Sequence, residues 1–375
     1  MPMELFGKSL EELRALAVSW GEPAWRGAQL YHSLYAERQL DFARMTALPA
    51  PLRQRLSAEA AATLPRIAGR YASSDGSVRY LLALAGPPAG EDSPDPVTVE
   101  TVFMPSPGRQ TICVSTQAGC AVGCLFCLTA TLGLVRNLTA GEILGQVFVA
   151  LAENAATLAP RTNVVFMGQG EPLLNYDQTI AATRILLDPN ALGLAPRHVT
   201  ISTSGIVPGI DRLAAEGVRP KLAISLNATT DHERARLMPL NRKYPLAQLL
   251  DACRRYPLRS WEQLTFEYVL LGGLNDRRDD ARRVARLLAG LRAKVNLIPW
   301  NPGELPYRQP DSSAVEQFRR VLTEHGIHAF VRFSRGQDVF AACGQLALID
   351  RGGVGRSPAR SGPAEPLVTT GQPPL

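Results

Sequence analysis

Gly119-Cys120-Ala121-Val122-Gly123-Cys124-Leu125-Phe126-Cys127 places three thiols at the spacing C-x-x-x-C-x-x-C on one short loop, and the rest of the chain has to be read around it. Four thiolates would close an iron-sulfur cluster, whereas three leave one iron with a coordination position open to a small molecule. Cysteine-rich loops also hold structural zinc, which wants a fourth protein ligand, and none stands near this run in the sequence. The spacing favours a catalytic cluster and leaves zinc as the alternative.

Downstream of the loop, apolar strand-like runs alternate with amphipathic stretches. Strand candidates are 163–167, 198–203, 221–227, 264–271, 294–299 and 328–333, with helical spacing at 141–154, 176–187, 210–216, 246–256, 279–291 and 314–324 between them. Such alternation predicts an α/β fold with a parallel sheet and outer helices, and roughly six units amount to a partial (βα)6 barrel with its chemistry at the C-terminal strand ends. Thr139-Ala-Gly-Glu142 is a capping-box signature that starts the helix after the cysteine loop. Upstream, 78–84 and 97–104 read as strands separated by a Pro-, Gly- and acid-containing loop over 86–96. Residues 1–65 read as a small helical module with helices near 9–18 and 24–37, Pro23 marking the start of the second. Its arginines Arg14, Arg26, Arg38, Arg44, Arg53 and Arg55 suit a phosphate backbone, or simply a solvated face. The expected organisation is an N-terminal helical RNA-binding accessory domain over 1–65, the barrel with its strand extension over 66–350, and a disordered tail over 351–375.

The chain of 375 residues is long enough to bury a full core, and 46% hydrophobic residues fit a globular protein. No window approaches the run of about 18 apolar residues that a membrane span needs, and the N-terminus lacks a secretory pattern. Six cysteines, three of them clustered and with no disulfide framework, point to a reducing cytoplasm. A net charge of +6 is compatible with a nucleic-acid partner without requiring one.

Gly168-Gln-Gly-Glu-Pro172 follows the strand at 163–167, where glycines let the backbone approach a ligand and a carboxylate can hold an amino group. Ser202-Thr-Ser-Gly205, Ser225-Leu226-Asn227 and Trp300-Asn301-Pro302 close later strands, and each alone reads as readily as a turn or cap. Together with Gln117-Ala-Gly-Cys120, Arg136-Asn-Leu-Thr139, Gly170-Glu-Pro-Leu-Leu-Asn175, Asn296-Leu-Ile-Pro-Trp-Asn-Pro302 and Ala341-Ala-Cys-Gly-Gln-Leu346, the chain resembles the radical S-adenosylmethionine RNA methyltransferases that act on adenine. The branch most similar is the one directed at carbon 2 in 23S rRNA and tRNA. The resemblance runs from the N-terminal module to about Leu348.

That resemblance implies a 4Fe-4S cluster on Cys120, Cys124 and Cys127, and S-adenosylmethionine used twice per turnover. It implies that Gly170 and Glu171 hold the amino group of the methionine moiety, and that Ser202, Ser225, Leu226, Asn227 and Asn301 contact the rest of the molecule. It further implies that Cys343 takes a methyl group, that the 5'-deoxyadenosyl radical activates this group for addition to the ring, that Glu100 removes the ring proton, and that Cys113 resolves the protein–RNA adduct through a transient disulfide. The chemistry is coherent, because carbon 2 of adenine is electron-poor and cannot attack a sulfonium methyl directly. Taken alone, Cys113 would be a small buried hydrophobe and Glu100 a solvated strand residue; the resemblance assigns them, because their offsets from Cys120 match the family pattern. Cys253 fits no motif and reads as core, and the five histidines show no metal spacing.

Three positions depart from the common family pattern: Gln169 replaces methionine, Asn227 replaces histidine, and Leu128 replaces a small residue. The implied partners are 23S rRNA, with tRNA beside the anticodon as a further candidate, and a low-potential electron donor such as flavodoxin. The protein is expected to be a monomer with no membrane association. Competing readings are a C8-directed adenosine methyltransferase of 23S rRNA and, outside enzymes, an RNA-binding protein with a structural metal site.

Overall fold

The computed structural model describes residues 2–84 and 96–346. The loop expected over 86–96, except its last residue, and the tail expected over 351–375 lie outside the described residues. The chain opens with β1 (Met3–Glu4), α1 (Leu10–Ser19), α2 (Ala24–Tyr35), α3 (Ala50–Glu59) and β2 (Ala60–Ala61), with β1 and β2 paired in parallel. α1 begins in a capping box: the Ser9 hydroxyl accepts from the Glu12 amide at 3.2 Å, and the Glu12 carboxylate accepts from the Ser9 amide at 2.7 Å. The periodicity singles out α1 and α2 but not α3, which buries only Leu52 and Leu56, a single i,i+4 pair. Phe6 packs edge-on against Phe148 at 4.9 Å, and the Tyr31 hydroxyl donates to Asp188 at 2.8 Å, so this module rests on the outer helices of the larger unit.

That unit starts with an antiparallel meander of β3 (Arg66–Ala72), β4 (Val78–Ala83), β5 (Thr98–Ser106) and β6 (Arg109–Cys113). A hairpin of β7 (Gln117–Gly119) and β8 (Leu134–Asn137) brackets the cysteine loop and leads into α4 (Ala140–Glu153). Then follow β9 (Thr162–Phe166), α5 (Tyr176–Leu187), β10 (Val199–Thr203), α6 (Val207–Ala214), β11 (Lys221–Ser225), α7 (Asp231–Leu237), α8 (Leu246–Arg255), β12 (Leu264–Leu270), α9 (Arg278–Leu287), β13 (Ala293–Pro299), α10 (Ser312–Glu324) and β14 (His328–Val331). One sheet runs β14-β13-β12-β11-β10-β9-β6-β5-β4-β3, parallel from β6 to β14. Counted from β6, six strands are each followed by helix, which is the anticipated (βα)6 partial barrel. The first unit is β6–α4, however, and the strand candidates beginning at 163 leave it uncounted. β6 is five residues of mixed polarity, Arg-Gln-Thr-Ile-Cys, too short to show a strand period.

The sheet does not close on itself: β14 pairs with β13, and the other edge of β6 pairs with β5. The chain after β14 spans the opening. Its Asp338 carboxylate accepts from the Ser73 hydroxyl at 2.6 Å and the Ser74 amide at 3.0 Å, the Gly336 amide donates to Asp75 at 3.0 Å, and Arg335 donates to the Pro105 carbonyl. This strap carries Cys343 back over the strand ends. Among the described residues no helix is long and apolar enough to cross a membrane.

Deep in the meander Arg79 and Glu100 form an ion pair, with 1% and 0% of their surfaces exposed. Removing one partner of such a pair leaves a charge in a low-dielectric interior, so Arg79→Met is expected to cost about 3–5 kcal/mol of stability. Arg79→Met combined with Glu100→Leu is expected to recover most of it. Urea unfolding midpoints check this, and a single variant within about 1 kcal/mol of wild type would contradict it.

Candidate functional site

The C-terminal ends of the parallel strands surround a cleft of about 970 Å³, open mouth included, which is within the size range of small-molecule sites. Cys120, Cys124 and Cys127 line one wall, and Gly170, Glu171, Ser202, Ser225, Asn227, Asn301 and Cys343 line the others. The fold thus gathers ten of the thirteen residues singled out in the sequence. Cys113, Leu226 and Glu100 stand outside this cleft. Cys113 lines a second cleft, of about 840 Å³ with its mouth, and Cys343 and Met167 border both. Leu226 is fully buried in the core, its amide donating to the Glu267 carbonyl at 2.9 Å and its carbonyl accepting from Arg234 at 3.0 Å.

Glu100 lines neither cleft. It lies two residues before Val102, the register partner of Cys113, and so shares that face of the sheet. Arg79 holds one carboxylate oxygen, and the Gln169 amide donates to the other at 3.2 Å. Gln169 thereby gives this buried carboxylate a side-chain hydrogen-bond donor.

The cysteine loop is braced on all sides. The Cys120 amide donates to the Gly133 carbonyl at 2.8 Å, the Leu128 amide donates to the Gly344 carbonyl at 2.8 Å, and the Thr129 hydroxyl donates to the Leu346 carbonyl at 2.7 Å. Trp300 donates through its indole N–H to the Phe126 carbonyl at 3.2 Å, and Asn301 donates to the Cys343 carbonyl at 3.1 Å. The loop and the Cys343 strap are thereby locked together, with Leu128 and Asn301 as two of the links. The capping box after the loop forms as expected, and Arg136 pairs with its Glu142 at 2.7 Å.

Burial pushes the Cys120 thiol up to about 12 and raises Cys124 and Cys127 as well, with the charges of neighbouring cysteines adding to the effect. Among the described residues no lysine or arginine lines this cleft to stabilise thiolates, and the charge of Arg234 behind it opposes the rise at Cys124 without overcoming it. A cationic iron group would supply that charge, so the donors present fit an iron-sulfur cluster. Among the described residues no three His, Cys, Asp or Glu side chains converge on the position of a single ion. A cluster asks for less convergence, because its thiolates bind different irons.

Glu171 is 3% exposed; its carboxylate accepts from the Ser204 amide and hydroxyl, both at 2.7 Å, and from the Leu173 amide at 3.0 Å. Burial raises its pKa, against the opposing pull of these bonds. Asn227 sits at φ +59°, a left-handed position asparagine tolerates, and accepts from the Val269 amide at 2.8 Å. Two site residues escaped the sequence reading. Glu267, 7% exposed, faces the cleft and accepts from the Ser202 hydroxyl at 2.8 Å. Arg234, wholly buried, ties the ends of β10 and β11 by donating to the Ser204 and Ser225 carbonyls at 2.6 and 2.9 Å. A lone acid within the apolar strand Leu264–Leu270 was a usable signal for Glu267; nothing local marked Arg234.

Glycine is demanded at Gly119, where φ is +74° and a Cβ would stand 1.8 Å from the Gly133 carbonyl oxygen. At Gly123 φ is +72° but a Cβ meets nothing within 4 Å. Gly119→Ala is therefore expected to lose most bound iron after anaerobic reconstitution, while Gly123→Ala pays only about 1–2 kcal/mol of backbone strain and keeps it. Iron assays on both variants check this, and equal iron contents would contradict it.

Residues 114–287 match the model of the radical SAM superfamily, and residues 3–62 match that of the ribosomal RNA large subunit methyltransferase N-terminal domain. The probable dual-specificity RNA methyltransferase RlmN of Koribacter versatilis is 48% identical over 87% of this chain and 96% of its own length. The dual-specificity RNA methyltransferase RlmN of an Anaeromyxobacter strain is 47% identical over 96% of this chain and 93% of its own. The crystal structure of a radical SAM methyltransferase from Sphaerobacter thermophilus superposes with a TM-score of 0.83 at 43% identity, covering 92% of this chain and 99% of that one. Such identity, sustained through both the N-terminal module and the barrel, means that the chain belongs to the radical SAM family of dual-specificity RNA methyltransferases.

Proposed function

We propose that this chain methylates carbon 2 of adenosine in 23S rRNA, in the peptidyl-transferase region, with tRNA next to the anticodon as a second substrate. The observation that carries this reading is the position of Cys343, whose residue borders both the cleft of the cysteine triplet and the cleft that holds Cys113. The relatives' names, which specify dual specificity toward RNA, support two RNA substrates.

Cys120, Cys124 and Cys127 hold the 4Fe-4S cluster, and Gly170 and Glu171 receive the amino group of S-adenosylmethionine. Ser202, Ser225, Asn227 and Asn301 offer hydroxyl and amide groups to its carboxylate, ribose and adenine; Leu226 between them steadies the strand end through its backbone. When bound, the cluster and S-adenosylmethionine supply a 5'-deoxyadenosyl radical. Cys343 first accepts a methyl group by polar transfer, so two S-adenosylmethionine molecules serve each turnover, and it carries that carbon to the ring. Glu100, held by Arg79 and Gln169, takes the ring proton. Cys113 then attacks the Cys343 sulfur, releasing the methylated RNA and leaving a disulfide for later reduction. Residues 1–65 act as the RNA-binding accessory domain and 66–350 as the catalytic unit of a cytoplasmic monomer, fed by a low-potential donor such as flavodoxin.

Mass spectrometry of adenosines in rRNA and tRNA from a deletion strain tests the reading. Loss of 2-methyladenosine from both RNAs is the expected result. Loss of the 8-methyl isomer would favour the C8-directed alternative, and unchanged adenosines would refute both.

A further inference from the structure

The two clefts that meet at Cys343 differ in charge. The cleft of the cysteine triplet is lined by the carboxylates Glu171 and Glu267 and, among the described residues, by no lysine or arginine. The second cleft is lined by Arg109, Arg332 and Arg335 and, among the described residues, by no carboxylate. A sulfonium with an ammonium group suits the first, and a phosphodiester suits the second. The second cleft also lies where the barrel fails to close. One wall is β5 and β6, bearing Arg109 and Cys113; the other is the segment Arg332 to Arg335 just after β14; the Cys343 strap forms its roof.

Of the three guanidinium groups, Arg332 is partly engaged, 3.9 Å from the Glu267 carboxylate at the boundary between the clefts. Arg335 spends one bond on the Pro105 carbonyl, which fixes its place on the rim. Arg109 is exposed and its side chain has no hydrogen bond or ion pair among the described residues. The same cleft is lined by Phe333, 79% exposed, an apolar ring open to water on a cationic rim. Phe330, within β14, is also 55% exposed but lines neither cleft. An aromatic face flanked by arginines and opening onto reactive sulfurs is the arrangement that binds unstacked nucleotides.

We propose that the side opening between β6 and β14 is where the target nucleotide enters, with Phe333 as the platform on which a base of the RNA stacks and Arg109 and Arg335 as anchors for its phosphates. This rests on the reading of the chain as an RNA methyltransferase and adds to it the route and the residues that grip the substrate. S-adenosylmethionine and RNA then reach Cys343 from different sides, so methylation of Cys343 itself requires neither Phe333 nor Arg109.

Phe333→Ala, Phe333→Tyr and Arg109→Ala in the full-length, cluster-loaded enzyme test this, with a fragment of the peptidyl-transferase region of 23S rRNA as the probe. Trp261→Ala serves as the control, an aromatic side chain 50% exposed beside Arg259 and on neither cleft. Phe333→Ala is expected to raise the KM and Kd for RNA about tenfold, the scale of one base–aromatic stack, with Phe333→Tyr near wild type. Arg109→Ala is expected to weaken binding and reduce the slope of log Kd against log salt by about one. In every variant, mass spectrometry of enzyme incubated without RNA should still find Cys343 methylated. Wild-type KM, Kd and salt slope in both alanine variants, or an equal loss in Trp261→Ala, would overturn the assignment. Loss of Cys343 methylation in Phe333→Ala would overturn the division between the clefts. Failure of the wild-type enzyme to methylate any RNA would instead overturn the functional reading, and this assignment with it.

Discussion

Cys343→Ala is expected to abolish RNA methylation while leaving reductive cleavage of S-adenosylmethionine in place. The strap is held by backbone groups that alanine retains: the Gly344 carbonyl accepts from Leu128 and the Cys343 carbonyl accepts from Asn301. The cleft of the cysteine triplet keeps all its other walls, so cofactor binding survives the loss of one thiol on its edge. What disappears is the only atom in the scheme that receives the methyl group. Parallel assays of 5'-deoxyadenosine and of methylated RNA check this. Methylation persisting at even a tenth of the wild-type rate, a loss of only about 1.4 kcal/mol in barrier terms, would remove Cys343 from the mechanism.

Cys113→Ala is expected to act at the opposite end of the cycle, trapping RNA covalently on the enzyme. The thiol is 7% exposed and packs with Val102, Ala341 and Leu346, beside the strap that carries Cys343. Burial pushes it up to about 12, the nearby Cys343 adding to the rise and Arg332 opposing it. Because the thiolate is the attacking form, its population at neutral pH is small and grows about tenfold per pH unit below that value. Release of methylated RNA by the wild-type enzyme should therefore quicken as pH rises from 7 toward 9, whereas the alanine variant should accumulate a protein–RNA band on denaturing gels at every pH. An absence of that band, with turnover maintained, would rule out Cys113 as the resolving group.

How much of this was legible beforehand depended on the range over which each feature is determined. The capping box at Thr139 is a four-residue pattern and forms as expected, and the structure adds a second of the same short range at Ser9. The six βα units are recoverable from alternation, but the opening strand Arg109–Cys113 is too short and mixed to announce itself, so alternation alone starts the series one strand late, at β9. Sequence motifs located the walls of the first cleft, because each sits at a strand end that the fold must bring to the same rim. Arg234 and the Arg79–Glu100 pair were not legible: their partners lie on other elements of the fold, and no local pattern distinguishes a charge that will be buried from one that stays in water. The second cleft was invisible for a related reason, since it exists only because β14 and β6 fail to meet and a strap from beyond β14 returns over the gap.

The central claim is that Cys343 becomes a carbon donor, and it can be tested without RNA. Anaerobic, cluster-loaded enzyme incubated with methyl-deuterated S-adenosylmethionine and reductant, then digested and sequenced by mass spectrometry, should carry the deuterated methyl group on the sulfur of Cys343 and on no other cysteine. Fully loaded enzyme that cleaves S-adenosylmethionine yet leaves that sulfur unlabelled would contradict the account.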